Sequence, residues 1–180
     1  MATPSGDATR PTTDRVRESV FSQIASWLGV ADRDPAEQLA GRSFLDLYAG
    51  SGAVGIEALS RGARTTWVEK DPATARVIRK NLTDLRIDGS VLVQDVVVCL
   101  KRRATPFDIV WMDPPYPLED EQVNLVVALL DAKGWVAPGG RVLVERSVWS
   151  SAVEFPESFL NHGSRRFGST IIYYAEKGSQ

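Results

Sequence analysis

Asp113, Pro114, Pro115 and Tyr116 stand in a row behind the apolar run 107–112, and no other stretch of the chain combines so much chemical capacity in four residues. Two prolines fix the backbone and remove two amide donors, which leaves carbonyl oxygens without local partners. A carboxylate and a carbonyl side by side suit an acceptor amine, which donates two hydrogens and needs two acceptors. Tyr116 adds a ring on which an extruded base can stack. A proline-rich turn behind a buried strand is the plainer reading of the same residues. A second candidate lies upstream, where Asp46, Tyr48, Ala49, Gly50, Ser51, Gly52 and Gly55 follow the run 43–47. Glycines there let the backbone turn sharply and approach a ligand, and the next helix offers free amides at its start.

The three glycines spell the dinucleotide fingerprint, so a nicotinamide cofactor and a purely structural turn both remain open. Asp46 favours a cationic, methionine-like group over a pyrophosphate, because a carboxylate beside that loop attracts an ammonium and repels phosphate. Glu69, about 20 residues on, is placed to accept hydrogen bonds from ribose hydroxyls of either cofactor. Asp95 is positioned either to meet an adenine amino group or to serve as a turn residue, and Asp71 reads as the cap of the helix beginning near Pro72. Cys99 reads as a small core residue, lone His162 as a surface residue, and no His/Cys cluster offers a metal site.

Such side chains need strand tips to hold them. Apolar runs at 43–48, 65–69, 91–94, 107–112 and 141–145 alternate with helical patterns at 53–61, 72–85, 96–102 and 119–131. Continuous Val/Ile/Leu runs separated by helices predict βαβ units, hence a doubly wound α/β fold with a mostly parallel sheet covered on both faces. The β-rich run 169–174 is expected to close it antiparallel. Apolar residues at 16, 20, 21, 24 and 28 predict an amphipathic helix from Asp14 to about Leu28, capped by Thr12, Thr13 or Asp14, and 29–41 a loop or short surface helix. Residues 1–9, small and polar, are expected to form a disordered tail before a single domain over 10–180.

The chain has 180 residues, 43% of them hydrophobic, and Lys plus Arg (21) nearly balance Asp plus Glu (23) for a net charge of −2. That balance excludes a large basic surface as the basis of nucleic-acid binding. No signal peptide or membrane-length apolar run is present, so a soluble protein of the reducing cytoplasm is expected.

Three blocks resemble a known family. They are Arg10-Pro11-Thr12-Thr13-Asp14-Arg15-Val16-Arg17-Glu18, then 45–52 running on to Glu57-Ala58-Leu59-Ser60-Arg61-Gly62-Ala63, then 113–116; Arg166-Phe167-Gly168 is also similar. Together they resemble class I S-adenosylmethionine-dependent methyltransferases of the RsmD type, which methylate guanine N2 in small-subunit (16S) ribosomal RNA. The resemblance implies a Rossmann-like fold with a seven-stranded sheet and an antiparallel C-terminal strand. It implies a cofactor site of Asp46, Tyr48, Ala49, Gly50, Ser51, Gly52, Glu69, Lys70, Asp95, Val96 and Asp113. It implies Asp113, Pro114 and Tyr116 as catalytic residues, and Arg10, Thr12, Thr13, Arg15, Pro115 and Tyr116 as substrate-binding residues. The implied partner is ribosomal RNA in an assembling small subunit, met by a monomer. Met1 to Thr9 lack the basic, glycine-containing β segment with which the family usually begins. Against the RNA reading stand a related methyltransferase acting on DNA adenine or protein glutamine, an NAD-dependent oxidoreductase, and a binding module that has lost catalysis.

Overall fold

A computed structural model describes residues 14–179. The tail 1–9 and the candidates Arg10, Thr12 and Thr13 lie outside the described residues. The strands are β1 (Ser43–Leu47), β2 (Arg64–Glu69), β3 (Ser90–Val93), β4 (Phe107–Met112), β5 (Val136–Ser147), β6 (Phe159–Phe167) and β7 (Thr170–Lys177). The helices are α1 (Asp14–Trp27), α2 (Ala53–Ser60), α3 (Pro72–Leu85), α4 (Val96–Leu100) and α5 (Asp120–Ala132), and Pro35–Glu37 form a single 3-10 turn. The sheet order is β3-β2-β1-β4-β5-β7-β6. β1 to β5 run parallel, and β7 is antiparallel to both β5 and β6. This is the doubly wound α/β fold expected from the alternation, with the seven-stranded sheet that the family resemblance implied and β7 as its antiparallel strand.

Two-residue alternation along each strand sends side chains to opposite faces. Leu45, Leu47, Val110, Met112, Val142 and Val144 pack under α4 and α5, whereas Phe44, Ile109, Trp111 and Leu143 pack under α1 and α2. Trp67 on β2, fully buried, meets Ile56 of α2 and Ile78 and Leu82 of α3. Cys99 is buried in the α4–α5 layer, and His162 is exposed.

Two elements depart from the periodicity. β5 starts five residues earlier than expected, because Val136 still pairs with Phe107 before an irregularity at Pro138-Gly139-Gly140 that reads locally as a turn. β6 was not separable as a strand, since it is an outer strand and most of its side chains face solvent. No helix among the described residues is long and apolar enough to cross a membrane.

Candidate active site at the carboxyl edge

β1, β2, β3 and β4 all end on one edge, with β4 leaving on the opposite side of β1 from β2 and β3, and ligands in such sheets bind at this switch point. A cavity of about 170 Å³ opens there, lined by Tyr48, Gly50, Val68, Glu69, Lys70, Thr74, Val96, Asp113 and Pro115. The glycine turn is built from left-handed backbone, with φ of 59° at Tyr48, 53° at Gly50 and 79° at Gly52. A tyrosine held in that region costs of order 1 kcal/mol or more and marks an over-determined turn. Burial, with Asp95 nearby, pushes the Tyr48 hydroxyl up to about 12, so it stays a neutral donor at physiological pH.

Glu69 projects into this cavity, fixed by two amides: Gly50 N–H donates to Oε2 at 2.9 Å and Asp71 N–H to Oε1 at 2.8 Å. Each oxygen keeps lone-pair capacity for a further donor. Asp71 caps α3 as its sequence position suggested, accepting from the Thr74 amide at 2.8 Å. The lining therefore joins an oriented carboxylate to the apolar walls Val68 and Val96, a donor set that fits a ribose and a flat aromatic base.

Asp46 is a correction. The carboxylate anticipated at a cofactor ammonium is 2% exposed and outside the cavity lining; its Oδ2 accepts from the Gly55 amide at 2.9 Å beneath the loop. Strand alternation explains it: Asp46 shares the Phe44 side of β1 and points under α2. Gly52, the N-cap of α2, has no side chain to satisfy the helix's free amides, so Asp46 does so from the strand. Burial raises its pKa well above the carboxylate range, against the amide bond that lowers it. The side chain of Asn81 reaches the Ser51 carbonyl at 3.3 Å, and the indole of Trp67 the Gly52 carbonyl at 3.2 Å. Ala49, Ser51 and Gly52 thus shape the turn without lining the cavity, and a Cβ at Gly52 would press on Ile78 and Trp67. Asp95 caps α4, taking the Val97 amide at 2.9 Å and the Val98 amide at 3.2 Å on Oδ1. Arg15, exposed on the first turn of α1, lines no cavity described here.

Beyond β4, the Asp113 amide donates to the Leu47 carbonyl at 3.4 Å, which ties the two strand tips together. Pro114 is buried, Pro115 half-buried with its carbonyl taking the Leu118 amide, and Tyr116 is 58% exposed. A second, smaller hollow on this side is lined by Asp113, Pro114, Tyr116, Glu145, Arg146, Ser147 and Ser150. Asp113 thus stands in the wall common to both cavities. Val68 and Thr74 in the first, and Glu145, Arg146, Ser147 and Ser150 in the second, were not singled out from the sequence. The strand-tip rule applied to the end of β5 would have found the last four. Among the described residues no group of His, Cys, Asp and Glu is arranged to hold a metal.

Fold and site together define a Rossmann-like methyltransferase architecture: a glycine turn and ribose-type carboxylate on one side of an Asp-Pro-Pro-Tyr tip, a hollow with an exposed ring on the other. The comparisons agree. The family model described as "Conserved hypothetical protein 95" matches residues 1–176. Ribosomal RNA small subunit methyltransferase D of Escherichia coli K12 is 33% identical over 184 residues, covering 100% of this chain and 85% of that protein. The solved structure named "Putative methyltransferase yhhF", also from Escherichia coli, superposes with a TM-score of 0.82 at 31% identity, covering 99% of this chain and 92% of that one. The corresponding enzyme D of Haemophilus influenzae is 31% identical over 147 residues, 78% of this chain and 69% of that protein. The chain belongs to this family, the RsmD-type methyltransferases that its motifs resemble.

Proposed function

We propose that this chain is an S-adenosylmethionine-dependent ribosomal RNA methyltransferase that modifies the exocyclic N2 amine of a guanine in small-subunit (16S) RNA. The observation that carries the reading is Asp113 in the wall between two cavities, one with the donors and walls for a nucleoside cofactor, the other with Tyr116 at its rim. The names of the family's curated members support RNA as the substrate.

In this reading Glu69, braced by the Gly50 and Asp71 amides, accepts from the ribose hydroxyls of S-adenosylmethionine. Val68 and Val96 flank the adenine, Asp95 meets its amino group, and Tyr48, Gly50 and Lys70 line the methionine end. The cofactor supplies an electrophilic methyl group on sulfonium. Tyr116 stacks the extruded base and Pro115 backs it. Asp113 and the Pro114 carbonyl accept from the target amine and keep its lone pair aimed at the methyl carbon. Asp113 would also take the proton that the amine gives up on methylation. Holding both partners in one dry cleft supplies much of the rate, since effective molarities of about 10⁵ M are attainable for aligned groups. Arg10, Thr12, Thr13 and Arg15 are assigned to substrate binding, near the cofactor's methionine end or the RNA entrance. The enzyme is read as a cytoplasmic monomer meeting RNA in an assembling subunit.

Mass mapping of small-subunit RNA from cells with and without this protein tests the reading. One guanine is expected to lose a single methyl group, and identical maps would remove the assignment. Calorimetric titration with S-adenosylhomocysteine and with NAD checks the cofactor separately, and binding of NAD alone would overturn it.

A further inference from the structure

Trp149 is 83% exposed, the most exposed large apolar side chain among the described residues. The other tryptophans are committed elsewhere: Trp67, Trp111 and Trp135 are buried, and Trp27 packs on Tyr174 at 5.0 Å. Trp149 sits between Ser147 and Ser150, both of which line the hollow beside Asp113 and Tyr116. Its turn is held from several sides. Trp149 N–H donates to Ser147 Oγ at 3.3 Å, Ser150 N–H to the Ser147 carbonyl at 3.1 Å, and Ser151 N–H to Asp120 Oδ2 at 2.9 Å. Asp120 is in turn bound by buried Arg146 at 2.7 Å. The indole is therefore presented to solvent on a fixed turn, not trailed on a loose one.

The same turn reaches the end of the β6–β7 hairpin. Val148 N–H donates to the Ser169 carbonyl at 3.0 Å, and Ser147 pairs in register with Thr170. Arg165 and Arg166 close β6 at that end, both exposed, one with its guanidinium 5.2 Å from the Phe167 ring centre and the other bonded to the Gly168 carbonyl at 2.9 Å. Neighbouring strand residues project to opposite faces, so the two cations straddle the edge. Arg165 and Arg166 are the exposed cations of the segments 146–153 and 158–175, which carry no carboxylate; Glu145 lines the hollow, and Arg146 is buried and paired with Asp120. Exposed aromatic and cationic groups along one sheet edge, beside the hollow at Asp113, are the elements of a single-strand nucleic-acid track: rings stack successive bases, and arginines follow the phosphates.

We propose that the RNA strand adjoining the target nucleotide runs along the carboxyl edge from Tyr116, over Trp149 as a stacking platform for a neighbouring base, to Arg165 and Arg166. This rests on the reading of the acceptor as an RNA base. The test uses the full chain and small ribosomal subunits from cells lacking it. Trp149→Ala is expected to raise KM for subunits about tenfold while kcat moves far less, and Trp149→Phe to recover most of the loss. Protein-free small-subunit RNA is expected to shield the exposed tryptophan fluorescence from acrylamide. Arg165→Ala with Arg166→Ala should flatten the salt dependence of that binding. An unchanged KM in Trp149→Ala overturns the track. Shielding by whole subunits but not by protein-free RNA overturns it too, and places a ribosomal protein on this face. Failure of the unaltered chain to methylate any subunit RNA is a distinct result, which removes the underlying reading whatever Trp149 does.

Discussion

The tips of β1 and β4 lie side by side, and each carries an aspartate within one residue of its end, yet the two carboxylates live in different worlds. Asp46, level with Trp111 in the pairing register, faces α2 and is 2% exposed. Asp113 lies just past the last paired residues, Leu47 and Met112, and opens onto both cavities. A difference of about two residues along the strand turns one residue type from a helix anchor into a site wall. Position relative to the sheet edge, not charge, decides which carboxylate meets a ligand.

Four substitutions would break or sharpen this contrast. The largest effect is expected from Asp113→Ala, a fall in methyl transfer of about 10²- to 10³-fold, the scale for losing one preorganised group at a reacting centre. Affinity for S-adenosylhomocysteine should stay within a few fold, because the lost acceptor serves the amine. Single-turnover rates beside calorimetry check both; equal losses in binding and turnover would move Asp113 to the cofactor's side. Next comes Gly55→Ala. An added Cβ would lie 2.2 Å from the Trp67 indole nitrogen and 2.9 Å from Asp46 Oδ2. Overpacking of this kind costs about 1–3 kcal/mol, read as a lowered denaturation midpoint. An unshifted midpoint would show that the glycine turn is not braced from below.

Tyr116→Ala should weaken RNA binding by about 1–3 kcal/mol through lost stacking, with the melting temperature unchanged because the ring is mostly exposed. Filter binding or fluorescence measures it, and unaltered RNA affinity would take Tyr116 out of the site. The smallest effect belongs to Asp46→Asn. Its amide oxygen can keep the Gly55 bond, so stability near pH 4, where the parent's buried carboxyl is still protonated, should change by less than about 1 kcal/mol. The sign with pH is informative. Burial raises the Asp46 pKa in the folded protein, so the folded state holds this proton more tightly than the unfolded chain. Ionising it therefore destabilises the native protein increasingly as pH rises from about 4 towards the raised value. Thermal unfolding across pH 4 to 8 should show the Asn variant gaining on the parent as pH rises, and a parallel pair of curves would mean that Asp46 is not desolvated.

A second contrast runs along the same edge. Glu69 and Asp113, the acids that line the first cavity, sit at or just beyond the last residue of their strands. Asp46 lies one residue inside the end of β1, and Asp95, two residues past β3, gives its Oδ1 to the first amides of α4. Position within the strand tip and the needs of the next helix together sort the acids, and neither is visible from residue type.

Much of this architecture was legible beforehand. Alternating apolar runs and helical periods determine a doubly wound sheet, because each pattern buries its apolar face in only one kind of layer. Asp113-Pro114-Pro115-Tyr116 and the glycine turn announced themselves, since prolines and glycines dictate backbone geometry locally. Asp71 as a cap, Cys99 in the core and His162 at the surface were readable for the same reason. Tertiary structure alone decided that Asp46 would serve α2 and that Arg146, Ser147 and Ser150 would stand beside Asp113. Those outcomes depend on strand register and on which helix lands over which strand, and such long-range contacts leave no local trace in the order of residues.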